Sequence, residues 1–160
     1  MAYSTISKPS LYFNTKLYTG TGSSNALTGV GFQPDWTWIK KRNGATNHMV
    51  VDAVRGVTKT LVTNSNVAED TDANSLTAFG ADGFTVGSTG AVNGNNDTFA
   101  AWNWKANGAG SANTDGGINS TVSVNNTAGF SIVKYGTGTG SATTVGHGLN
   151  AKPNFIIVKP

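Results

Sequence analysis

The chain of 160 residues has no cysteine. Disulfides, thiolate metal sites and thiol nucleophiles are therefore excluded. Charge is scarce as well: Asp, Glu, Lys and Arg make up 12% of the residues, well below the share usual in soluble domains. Glutamate occurs once, as Glu69, so the carboxylate pair that a glycosidase sets on a concave face has little to draw on. His48 and His147 are the only imidazoles, and neither has a nucleophile motif beside it. The glycine-rich "TGTGSSN" and "GTGTGSATT" look like phosphate loops, but no Lys follows at Walker spacing and no helix opens after them. Nothing here predicts an enzyme or a cofactor. No apolar run approaches the length of a membrane span, and the start, "MAYSTISKPSLYF", lacks the basic head and apolar core of an export signal. The net charge of +3 is scattered except at Lys40, Lys41 and Arg42, which argues against the concentrated basic face of a nucleic-acid binder.

What is abundant is glycine, threonine, asparagine and serine, punctuating short runs of β-branched and aromatic residues. Helical periodicity is absent, and this pattern predicts an all-β chain, a jelly-roll or concanavalin-like β-sandwich. Strands are expected at 11–18, 35–41, 48–53, 58–63, 76–79, 83–87 and 98–105, with further ones at 121–124, 130–135 and 154–159. Asn93-Gly94 and Asp82-Gly83 carry the residues of two-residue hairpin turns with positive φ. Residues 64–75 read as a short helix or an extended loop.

Three groups of residues invite a site. Asp70, Asp72 and Asn74 place oxygens at alternate positions, as a Ca²⁺ loop does, but the glycine and glutamate that such a loop needs further on are replaced by Ser75 and Ala81. A solvated acidic loop and no metal is the expectation. Trp36 with Trp38 and Trp102 with Trp104 stand at the strand period of two, so each pair shares one face. Such a face can stack on sugar rings or fill the sandwich core, and the core is expected, with turn Tyr and Asn residues the better glycan candidates. In the N-terminal segment, Tyr3, Ile6, Tyr12 and Phe13 are too apolar for an idle tail, while Pro9 interrupts any long strand. These four are the candidate assembly contacts, side chains that gain burial only when a partner is present.

The chain also repeats itself. "LYTGTGSSN" at 17–25 nearly recurs as "KYGTGTGSA" at 134–142, and "GFQPDWTWIKK" at 31–41 is echoed by "GLNAKPNFIIVK" at 148–159. The period of roughly 115 to 120 residues is that of a domain. The division that follows is an N-terminal segment 1–16, a β-sandwich module 17–105, a flexible or surface-hugging Gly/Asn/Ser linker 106–120, and the opening strands of a second module, 121–160. About sixty residues follow the Pro-led strand in the first copy and have no counterpart after Pro160, so the material completing the second module is expected from further chain or from other chains.

The succession "YFNTKLYTGTG", "VGFQPDWTWIKKR", "HMVVDAVRGVTKTL", "SLTAFGADGFTVG" and "NDTFAAWNWKANG" resembles the tail-fibre and virion structural proteins of marine, cyanophage-type bacteriophages. The likeness extends over essentially the whole chain and includes the second-module opening. It implies concanavalin-like sandwiches repeated along a fibre, an N-terminal part that attaches to the particle, and a homo-oligomer, a trimer favoured, that contacts other virion proteins. The place implied is the virion, assembled in the host cytoplasm. A carbohydrate-binding module for adsorption to host-surface glycans is the alternative.

Overall fold

Residues 6–136 and 140–160 are described by the computed structural model. Tyr3 and the middle of the second glycine-rich phrase lie outside the described residues. Among the described residues, alternating β-branched and small polar residues form twelve strands. They are β1 (Phe13–Thr19), β2 (Asn25–Thr28), β3 (Trp36–Lys41), β4 (Met49–Asp52), β5 (Lys59–Val62), β6 (Asp70–Thr71), β7 (Leu76–Gly80), β8 (Gly83–Val86), β9 (Thr98–Trp104), β10 (Ser111–Asn113), β11 (Ser120–Asn125) and β12 (Phe130–Tyr135). One helical turn, Gly90–Asn93, and a 3₁₀ turn at Pro9–Leu11 are the helical elements.

A six-stranded sheet runs β1-β9-β3-β4-β5-β6, and a three-stranded sheet runs β2-β8-β7. The apolar core draws on both, with Ile39, Val51, Phe99 and Ala101 from the first and Leu27, Leu76, Phe84 and Val86 from the second. This is an all-β sandwich. Tyr18 closes the core on the β1 side: its ring stacks on Phe99 at 5.1 Å, and its hydroxyl donates to the Val92 carbonyl. Burial pushes that phenol well above its ordinary range. A third sheet, β10-β11-β12, follows the sandwich.

Several local expectations are corrected. The Asn93-Gly94 pair makes no hairpin turn, because Asn93 ends the helical turn and Gly94 has φ −55°. Asn93 is instead fully buried, its amide donating to the carbonyls of Ser23 and Gly87 and its Oδ1 accepting from the Thr21 N–H. Here long-range hydrogen bonding overrides a dipeptide preference. A hairpin does join β7 to β8, but its two loop residues are Ala81 and Asp82, and Gly83 already belongs to β8. Gly83 is needed there for another reason: at φ 154° a Cβ would collide with the Leu27 carbonyl of the neighbouring strand. Residues 106–120 hold strand β10 and are tied at their start, where Asp35 Oδ2 accepts the Ala106 N–H at 2.7 Å and Ser123 Oγ accepts the Asn107 N–H at 2.8 Å. The strand expected at 154–159 does not form.

Candidate functional site

The placement of the tryptophans overturns the expectation that they fill the core. In β3, Thr37 and Ile39 are buried while Trp36 and Trp38 are half-buried; in β9, Ala101 and Asn103 are buried while Trp102 and Trp104 are half-buried. Trp36 lies opposite Trp104, and Trp38 lies opposite Trp102. The four indoles therefore form a two-by-two array on the outer face of the large sheet. The inner face below them holds the Thr37 hydroxyl, which donates to Asn103 Oδ1 at 3.1 Å, and the Asn103 amide, which donates to the carbonyls of Asn14 and Ala101. Phe99 and Ile39 supply the bulk that the core requires.

One half of this array is roofed. Phe130, the first residue of β12, meets Trp36 edge-on at 6.3 Å and stacks on Trp104 at 6.1 Å. Phe13 of β1 packs against the same Trp104 at 4.7 Å. The repeat makes these two phenylalanines counterparts, since β1 reads "FNTKLY" and β12 reads "FSIVKY". The other half, Trp38 and Trp102 with centroids 6.5 Å apart, has Thr15 of β1 beside it and His48 at 6.2 Å from Trp38.

Of the candidate assembly contacts, Phe13 is exposed at the outer face and Tyr12 is half-buried, its carbonyl accepting the Lys105 N–H. Ile6 is half-buried, and Tyr3 lies outside the described residues. Leu11 and Leu17 add exposed apolar area along the same edge strand and its approach.

The acidic loop uses its oxygens locally. Asp72 accepts the Asn74 N–H at 2.8 Å and the Thr89 hydroxyl, and Asp70 accepts the Thr71 N–H at 2.8 Å. Among the described residues, no group of three or more His, Asp or Glu could hold a metal ion. Glu69 pairs with Arg55 at 3.1 Å, and Arg55 also holds Asp52 at 2.6 Å. That guanidinium further donates to the carbonyls of Val50 and Lys59, so it pins two strands and a loop, a function that "VDAVRG" did not disclose. His147 faces a broad open depression of about 450 Å³ bordered by Asp115, Thr144 and Asn150. Its Nδ1 accepts the Leu149 N–H, and the Ser131 hydroxyl donates to its carbonyl rather than to the ring. Among the described residues, no helix is long and apolar enough to cross a membrane.

The second repeat copy differs from the first in its surroundings. β12 pairs with β11 along one edge, and residues 154–159 run outside any strand with Phe155, Ile156, Ile157 and Val158 exposed. No curated protein and no solved structure matches the chain. A family model does: residues 8–160 match a domain of unknown function (DUF7483), and the chain belongs to that family.

Proposed function

We propose that this chain is a bacteriophage virion structural protein, a tail-fibre or appendage subunit whose N-terminal part attaches it to the particle. The observation that carries the reading is the aromatic joint between the sandwich and the following sheet, Phe130 on Trp36 and Trp104. A fibre needs successive units fixed in orientation, and stacked rings with hydrogen-bonded entry residues restrict that angle as a loose linker would not. The resemblance of the ordered phrases to those of phage structural proteins suggests the biological setting. Low charge suits lasting contacts that do not weaken with salt. The chain works as a homo-oligomer, three copies favoured, in contact with other virion proteins through Ile6, Tyr12, Phe13 and Tyr3. Immunogold labelling of purified virions with an antibody to the sandwich tests this: gold on fibres or appendages is expected, and particles without label would overturn it.

A second reading, glycan binding during adsorption, draws on the half-exposed Trp38 and Trp102 beside Thr15. Flat indole area next to a hydroxyl suits a sugar ring. Glycan-array signal lost in Trp102→Ala would support it, and a blank array would remove it.

A further inference from the structure

We propose that the open half of the outer face binds an anionic glycan, a sugar chain that carries carboxylate or sulfate groups. This rests on the second reading, glycan binding, and names the class of glycan.

Strand alternation sets four side chains of β3 and its extension on the outer face: Trp36, Trp38, Lys40 and Arg42. Arg42 lies one residue past the strand, but its N–H still donates to the Thr98 carbonyl, which continues the ladder with β9. The column is thus two indoles followed by two cations. Phe130 covers Trp36, which leaves Trp38, Lys40 and Arg42 in line on the open half. Across from them β9 presents Trp102, Ala100 and Thr98, so no bulky or acidic side chain of β9 faces the two cations.

The positive charge there is uncompensated. Lys40 Nζ donates to the carbonyls of Lys41 and Gly44, which are neutral acceptors. Lys41, by contrast, pairs with Asp97 at 2.7 Å, and the Asn43 amide donates to the other Asp97 oxygen at 3.3 Å, so that carboxylate is already engaged. Among the described residues, no carboxylate pairs with Lys40 or Arg42. Arg42 is exposed, and its planar guanidinium matches a carboxylate or sulfate through two parallel hydrogen bonds.

The indoles favour a sugar over an acidic peptide. Trp38 and Trp102 meet with their planes at 70°, so one ring offers its face beside the edge of the other. The carbon face of a pyranose packs on such a surface, and Thr15, opposite Trp102, adds a hydroxyl. From Trp38 to Arg42 the strand advances about 13 Å, a span that suits several linked sugars rather than one. An acidic peptide would use the cations and leave the indoles idle.

The test titrates the full chain, at about 0.15 M salt, with alginate and dextran sulfate against neutral dextran and polyglutamate. Saturable binding of one or both acidic polysaccharides is expected, with dextran at least about tenfold weaker and polyglutamate inert. A response to only one of the two tells carboxylate from sulfate. Arg42→Gln should lower that affinity at least about tenfold without changing the melting temperature, because its side chain is exposed and unpaired among the described residues. Trp102→Ala should lower it as well, and Lys134→Gln, an exposed cation on β12, should not. Polyglutamate that binds as well as the sugars, an Arg42→Gln variant that binds normally, or an equal loss in Lys134→Gln would overturn the proposal. If neither acidic polymer binds while a glycan array gives a signal that Trp102→Ala abolishes, glycan binding stands and the anionic class is withdrawn. A blank array with no polymer binding retires both.

Discussion

Asp82 is a single exposed carboxylate that accepts the N–H groups of Gly31 at 2.5 Å and Gly29 at 2.9 Å. Those two backbone bonds hold its pKa below the ordinary carboxylate value, with Lys16 adding a smaller effect in the same direction. A depressed folded-state value stabilises the fold above the unfolded pKa, and that contribution is lost as pH falls through the folded value. In thermal melts from pH 7 down to pH 2, the advantage of the wild type over Asp82→Asn should stay level to about pH 5 and then shrink with acid. An advantage that grew with acid would contradict this. Asn93 offers a larger effect, because its replacement leaves the Ser23 and Gly87 carbonyls without their amide donor inside the fold. Asn93→Ala should cost about 3 kcal/mol in urea unfolding, where a surface change would cost a few tenths. Neither role is legible from the dipeptides Asp82-Gly83 and Asn93-Gly94, since local turn preference carries no information about which distant N–H or carbonyl a side chain will reach.

At the scale of elements, strand positions are legible and strand faces are not. The alternation in "WTWIK" and "FAAWNW" places β3 and β9 correctly, yet it is symmetric with respect to which side is the core. Size suggested the tryptophans, whereas the sandwich is filled by Phe99, Ile39, Phe84 and Leu76, and the indoles wait outside for Phe130. That roof comes from residues remote in sequence, so no property of β3 or β9 alone predicts it. Phe130→Ala should therefore shift tryptophan emission to the red and speed exchange in β10–β12 while leaving β3 and β9 protected. The expected stability loss is about 2 kcal/mol, less than for a fully enclosed phenylalanine. Unchanged emission would mean that the joint is not formed in solution. The short strands β2, β6 and β10 escaped the sequence reading because they are two to four residues of Ser, Asn, Asp, Ala, Leu and Thr, with no periodicity to detect.

For the whole molecule, the sequence repeat was the strongest signal of organisation, and its two copies meet different fates. The phrase at 31–41 became the centre of a six-stranded sheet because β9 and β4 flank it. The matching phrase at 148–159, with the same Pro-led apolar run, stays outside any strand. A strand is thus made by its neighbours as much as by its own residues. Hydrogen exchange on the dilute, monomeric chain tests that claim most directly. Amides of 36–41 should be among the slowest to exchange, and those of 155–158 should exchange within about tenfold of the unprotected rate. Comparable protection of the two segments in the monomer would contradict the account.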